Sequence, residues 1–303
     1  MLRRFLLTIP VIFGTVTLVF SLIHWIPGDP VEVMLGEGAR SGDREELRHL
    51  LGLDRPLGIQ YVEYLGNLVR GNLGDSIHFR QPVKSLIIER YPATVKLALC
   101  SMLVALLIAI PTGVLAAWRK GSAADHFSTA FALAGVSIPN FWLGPLLILL
   151  FSIHWNLLPV SGMEDAGAII LPALTLGTAL AALLTRMIRV GLLEELGQNY
   201  IAVVRAKGVS SVNLLWKHAL TNALIPVITI LGLQFGVLLT GAIITEIVFA
   251  WPGLGRLLIQ AIHLRDYPLL QGCVLAISLT YIGVNLLTDI AYGYLDPRIK
   301  YTE

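Results

Sequence analysis

Six stretches of this chain stay apolar for longer than the about 20 residues a helix needs to cross the hydrocarbon core of a membrane. They read as Leu6 to Ile26, Thr94 to Trp118, Phe127 to Trp155, Ala168 to Val190, Leu224 to Phe249 and Leu269 to Tyr292. Backbone polar groups in lipid must be satisfied internally, so each run is expected to be a helix and the fold class an all-α membrane protein. Only 14% of the 303 residues are charged, against about 25% in a soluble domain. The net charge of +2 gives no basic excess, which excludes nucleic acid as an expected partner. Cys100 and Cys273 both fall in apolar runs and read as buried free thiols, not as a disulfide framework.

Arg3 and Arg4 precede the first run, as basic residues precede a signal peptide. The run exceeds the about 7–15 residues of a signal sequence, and Pro27-Gly28-Asp29-Pro30 offers no A-x-A cleavage site. Residues 1–26 are therefore expected to be a retained span. Residues 27–95 form a polar insert mixing ten acids, Asp29 to Glu89, with eight bases, Arg40 to Arg90. Asp43 and Glu46 form a capping box for a short helix with Leu47, Leu50 and Leu51 on one face and Gly52 after it. Tyr61, Tyr64, Leu65 and Leu68 repeat the helical spacing, and Pro82 can begin a third short helix carrying Val83, Leu86 and Ile87. The insert serves as a cap on the membrane domain, a receptor-facing surface, or both. Within the third span, Pro139 and Pro145 predict a kink or break near Asn140. In the fifth, Gly232 and Gly236 have the small-xxx-small spacing of closely packed helices.

Positive charge in short loops sets orientation. Arg3, Arg4, Arg119, Lys120, Arg186, Arg189, Arg205, Lys207, Lys217, Arg298 and Lys300 fall on one side, whereas the 156–167 loop has no Lys or Arg. Arg256 and Arg265 in the 250–268 loop are a mild exception. Both termini are expected in the cytoplasm, with 27–95 outside and 293–303 a cytoplasmic tail.

The longest polar break after residue 95 runs from Tyr200 to Pro226 and reads as two short helices with a turn between. Lys207 lies in the last turn of the first, where a cation suits the helix dipole, and Gly208 is a left-handed stop. Ser210 or Ser211 can cap a second helix running towards His218 and Ala219, and Pro226 marks the return to the membrane. Such an element on a membrane surface points to docking of another protein.

No G-x-x-x-x-G-K-[ST], H-E-x-x-H, G-x-S-x-G or Cys/His cluster occurs, so neither nucleotide hydrolysis nor a metal site nor an esterase triad is expected: no catalytic residue, no metal and no cofactor held by this chain. The ionisable groups within or at the ends of spans are Lys96, Arg186, Arg189, Glu246 and Asp289. Lys96 and Arg189 are expected to snorkel to the interface. Glu246, Asp289, Asn140 and Gln234 are the candidate pathway groups, with helix–helix bonding as the alternative. So few buried acids argue against ion coupling and put the energy source outside the chain.

The Tyr200 stretch resembles the cytoplasmic signature of the inner-membrane permeases of ATP-binding-cassette importers for dipeptides, oligopeptides, glutathione and nickel, of the first-permease type. That signature runs close to Y-x-x-T-A-R-A-K-G, then H-A-L-R-N-A-L-I-P. Here it reads Tyr200-Ile-Ala-Val-Val-Arg205-Ala206-Lys207-Gly208 and His218-Ala219-Leu-Thr-Asn222-Ala-Leu-Ile-Pro226. It departs at Val203-Val204, where Thr-Ala is usual, and at Thr221, where Arg is usual. Pro27 to Pro30, Leu51 to Leu57, Gly71 to Gly74, Ser137 to Gly144, Ile170 to Gly177, Trp251 to Arg256, Arg265 to Pro268 and Asp296 to Ile299 carry further matches along nearly the whole chain.

The resemblance implies a single permease domain over 1–303, with six spans in the type I importer fold and a five-helix core at 94–292 that holds coupling helices at 199–222. It implies a homologous second permease, two ATPases that use ATP and Mg, and an extracytoplasmic solute-binding protein. Short peptides are the expected solute and nickel or glutathione the alternative. A stand-alone carrier or channel is the rival class, disfavoured because no obvious inverted repeat stands out and a carrier needs no docking helix pair.

Overall fold

The computed structural model describes residues 2–25, 30–35, 40–50 and 52–295, and these are helical apart from turns, irregular loops and one isolated bridge. Among the described residues five helices are long and apolar enough to cross a membrane, and a bent pair makes a sixth if it counts as one span. The chain divides into two compact units, Met1–Ala93 with Pro252–Ile282, and Thr94–Trp251 with Gly283–Glu303. Pro27 to Asp29, Leu51 and Asp296 to Ile299 lie outside the described residues.

The first unit holds α1 (Leu2–Trp25), α2 (Pro30–Leu35), α3 (Ser41–Leu50) and α4 (Leu57–Val69). The capping box does not open α3. Arg44 N–H already bonds the Arg40 carbonyl at 3.2 Å, so the first turn closes upstream and Asp43 lies within it, where an acid favours the helix dipole. The helical face of α4 packs as its spacing predicts: Tyr64, Leu65 and Leu68 lie against the buried Val16, Val19 and Leu275.

The helix expected from Pro82 and the span expected from Thr94 are one element, α5 (Val83–Trp118), of 36 residues. At about 1.5 Å per residue it is about 54 Å long, well beyond the about 30 Å hydrocarbon core. Pro92 removes a backbone donor inside it. Burial of Val83, Leu86 and Ile87 against Leu254, Leu257, Leu269 and Cys273 nevertheless holds its first turns helical. Cys273 is buried as expected, whereas Cys100 is only partly so; both are free.

In the second unit the break near Asn140 is sharp. After α5, α6 (Ala123–Ser137) and α7 (Asn140–Leu147), which continues as a π-helix over Ile148–His154, meet at 105°. Ile138 precedes Pro139, a position that disfavours helical backbone, and adopts φ −86°, ψ 116°. The 27-residue α8 (Ile170–Leu196) packs against α6, α7 and α11. Glycine sets the closeness of these seams. A Cβ on Gly177 would lie 2.7 Å from Val104 Cγ1 and 2.8 Å from the Ser101 carbonyl, and one on Gly135 2.5 Å from Ala182 Cβ.

After α8 come α9 (Asn199–Ala206), α10 (Ser211–Asn213), a π-helix over Leu214–Ala219, α11 (Leu220–Gly241) and α12 (Ile243–Val248). Two expectations change here. Pro226 does not break the chain: it lies inside α11, whose buried Ala223 and Val227 flank it, and the candidate span is Ser211–Thr240. The span expected to reach Phe249 ends at Gly241, so Glu246 belongs to the separate α12. Gly232 does mark a close approach, since its Cβ would run into the Thr288 side chain. The 250–268 segment, expected as a loop, contains α13 (Leu254–His263), and α14 (Tyr267–Leu295) follows. Leu254, Leu257 and Ala261 bury one side of α13, which is what turns that segment into a helix.

Candidate functional site

The Tyr200 stretch folds largely as its residues dictate. Lys207 is the C-cap of α9, and Gly208 follows with φ +76°, the left-handed conformation that favours a residue without Cβ. Ser210, not Ser211, caps α10: its hydroxyl accepts from Asn213 N–H at 3.4 Å. Ile201 is the one buried side chain of α9. Arg205, Ala206, Lys207 and Gly208 are exposed, His218 is half-buried and Ala219 is buried. Asn222 and Pro226 are exposed on α11.

Apolar groups share this surface with the cations: Val203 is 56% exposed, Val212 61% and Trp216 50%, beside Arg205, Lys207 and Lys217. Exposed apolar groups amid charge are the composition of a protein-binding face.

One hydroxyl gathers this element. Tyr200 Oη donates to Glu195 Oε2 at 2.6 Å, lies 3.4 Å from the His218 carbonyl and accepts from Asn222 Nδ2 at 2.9 Å. Burial raises the Tyr200 pKa above its usual value, and the bond to Glu195 adds to the shift. Glu195 was not foreseen, since it stands five residues before Tyr200 across the end of α8, outside any helical spacing.

The candidate pathway residues lie on four different helices. Asn140 begins α7 half-buried, Gln234 is half-buried in the middle of α11, and Asp289 is exposed on α14. Glu246 is fully buried and accepts from Thr94 Oγ1 at 2.7 Å. Among the other ionisable groups, Lys96 and Arg186 are exposed. Arg189 is paired: its Nε lies 2.5 Å from Asp125 Oδ1 and its Nη2 2.9 Å from Asp125 Oδ2, a bidentate pair joining α6 to α8. Gly121 N–H bonds the same carboxylate at 2.9 Å. Asp125 had no local signal, because its partner lies 64 positions away.

In the first unit, buried Asp266 accepts from Ser76 Oγ at 2.5 Å, His78 N–H at 3.1 Å and Leu269 N–H at 3.2 Å, tying the insert to the start of α14.

Residues 109–301 match the family model "Binding-protein-dependent transport system inner membrane component", and residues 1–98 match that of its N-terminal region. The chain belongs to this family. It is 44% identical to the dipeptide transport system permease protein DppB of Escherichia coli (strain K12), over 99% of this chain and 98% of that one. The di/tripeptide permease protein DppB of Pseudomonas aeruginosa (strain UCBPP-PA14) is equally similar, 44% over the same shares. The glutathione transport system permease protein GsiC of E. coli (strain K12) is 42% identical, again over 99% and 98%.

Among solved structures, an inward-facing MetNI methionine ABC transporter superposes with a TM-score of 0.58 at 20% identity, covering 70% of this chain and 96% of that one. An amino acid ABC transporter gives 0.54 at 16%, covering 71% and 94%. At such identities the likeness shows the fold, that of an ABC importer permease. The chain is thus a non-catalytic, multi-pass inner-membrane subunit of a binding-protein-dependent importer, a class that works with ATPases and a binding protein.

Proposed function

We propose that this permease forms half of a two-permease pore that imports dipeptides and short oligopeptides. The solute follows the dipeptide and di/tripeptide relatives, each matched at 44% over nearly the full length. In this reading the chain is one permease domain with six spans in the type I arrangement. Both termini are cytoplasmic, 27–95 is an extracytoplasmic insert facing the binding protein, and lipid surrounds the exposed apolar helix faces. A homologous second permease completes the pore, and two ATPases supply energy from ATP and Mg.

The Tyr200–Pro226 surface carries the reading. Its left-handed Gly208, the exposed Arg205, Ala206, Lys207 and Asn222 and the half-buried His218 form the outer side of a helix pair at the end of α8, with Ala219 buried beneath it. We assign this surface to docking in a groove of an ATPase, which would move it when nucleotide closes the ATPase dimer. Asn140, Gln234, Glu246 and Asp289 remain the proposed pathway groups; Glu246 reaches a solute only if its Thr94 contact opens.

Reconstitution of the permease with its partners in proteoliposomes tests this. ATP-dependent uptake of a labelled dipeptide, absent without the binding protein, is the expected result. Gradient-driven uptake by the chain alone would overturn the importer reading. Import of glutathione in preference to dipeptide would favour the second solute, which the 42% match to the glutathione permease supports.

A further inference from the structure

Two helix ends meet at the coupling surface. Glu195 lies in the last turn of α8, and Asn222 in the first turn of α11. The two helices pack against each other, closely enough that a Cβ on Gly191 would stand 3.3 Å from the Ala223 carbonyl. Between them in sequence lies α9, eight residues long and held by a single buried side chain, Ile201. Beyond α9 the chain turns at Gly208, where nothing lies within 4 Å of a Cβ position. Apolar packing therefore fixes α9 weakly, and its orientation depends on polar contacts.

Those contacts converge on one atom. Tyr200 has a single proton, given to the Glu195 carboxylate at 2.6 Å, so it must accept from the Asn222 amide at 2.9 Å. An O–H bond to a carboxylate is charge-assisted and stronger than a neutral one. The phenol stays protonated at neutral pH, since burial and then Glu195 raise its pKa.

We propose that the Tyr200 hydroxyl is a positioning tie that makes the coupling helices move as one with α8 and α11, by joining Glu195 at the end of α8 to Asn222 at the start of α11. The proposal rests on the docking role assigned above. It differs from a docking contact because the hydroxyl faces the permease's own helices. Its loss should leave the ATPases bound yet waste their hydrolysis.

The test uses the full importer, with ATPases and binding protein, in proteoliposomes. Two quantities are measured: ATPase co-purification, and dipeptide taken up per ATP hydrolysed. Tyr200→Phe should co-purify normally while uptake per ATP falls by roughly 5-fold or more. Glu195→Ala should do the same, and the double variant should be no worse than either single one. Glu195→Gln keeps an acceptor and should retain most of the coupling. Asn222→Asp removes the donated bond and should lower uptake per ATP; co-purification is not the readout there, because Asn222 also lies on the docking surface.

Unchanged uptake per ATP in Tyr200→Phe, or additive losses in the double variant, would overturn the tie. Loss of ATPase co-purification in Tyr200→Phe would also overturn it, making the residue a docking contact. Failure of the unaltered permease to retain the ATPases would instead sink the docking assignment itself.

Discussion

Gly208 isolates one physical quantity. Its φ is +76°, and nothing lies within 4 Å of the position a Cβ would take. A side chain there meets no neighbour within the chain, so the cost is backbone strain alone, about 1–2 kcal/mol for an L-residue forced left-handed. That corresponds to roughly a 5- to 30-fold shift away from the native turn. Under the docking reading, the fraction of permease able to transmit the ATPase stroke falls by at most that factor, reached where the native turn holds only a marginal advantage. Gly208→Ala should lower binding-protein-stimulated ATPase and uptake by up to roughly 5-fold, and Gly208→Val by up to roughly 30-fold, because a β-branched residue is a worse fit at positive φ. Gly208→Asn has more bulk than alanine but tolerates this conformation, and should keep most activity. Stimulated ATPase in the reconstituted complex provides the reading. If Asn falls as far as Val, side-chain bulk at the partner decides the outcome and the strain argument is refuted; if Val is silent, the turn is irrelevant.

Further predictions concern stability, read as thermal unfolding in detergent. Gly177→Ala should cost about 1–3 kcal/mol by overpacking, because its Cβ meets Val104 and the Ser101 carbonyl. The same change at Gly66, a helical position with nothing within 4 Å, should stabilise by about 0.5–1 kcal/mol. Asp125→Ala strands Arg189 and should cost about 2–3 kcal/mol, below the fully buried range because Arg189 remains 26% exposed. Adding Arg189→Leu should recover part of that loss. Asp266→Ala leaves Ser76, His78 and Leu269 without their acceptor and should cost about 2–3 kcal/mol, with Asp266→Asn milder. Burial, with Tyr61 adding to it, pushes the Tyr64 pKa up from 10.0 to about 12. Folded Tyr64 then keeps its proton where the unfolded chain has lost it. Its contribution is complete below pH 10 and disappears as pH rises through 12, so Tyr64→Phe should flatten the alkaline loss of stability.

Elements governed by neighbouring residues were legible, and those governed by distant ones were not. Lys207 and Gly208 end α9 through local chemistry, and Pro139 forces Ile138 out of helical backbone, so both features stand where the residues put them. Pro82 likewise precedes a helix. Its fusion with the following span depends on contacts from Leu254, Leu257 and Leu269, more than 160 positions away, and no local pattern carries that information. Pro226 failed as a marker for the same reason: burial of Ala223 and Val227 outweighs one missing backbone bond. At the candidate site the cations and the turn could be read, whereas Glu195 could not. Arg189 was visible as a charge, but only Asp125, brought alongside by the packing of α6 on α8, decides that it is paired.

Glycine is used in two opposite ways in the second unit, and the contrast bears on how force would travel. At Gly113, Gly135 and Gly177 the added Cβ would strike Ile188, Ala182 and Val104, so α5, α6 and α8 approach with no slack, and the Asp125–Arg189 pair pins α6 to α8 besides. Such seams do not slide gradually; they hold or they break. At Gly208 the surroundings are empty, and the turn can be displaced without repacking a core. A stroke delivered to α9 therefore meets little resistance within the loop. Under the docking reading it would pass into the spans where the loop is fastened: at the Tyr200 hydroxyl, at the buried Ile201, Leu214 and Leu215, and at the α8–α11 contact beside Gly191 and Ala223. Because α8 is locked to α6 and α5, a displacement entering at Glu195 would move those helices together, which is the rigid-body behaviour that alternating access requires.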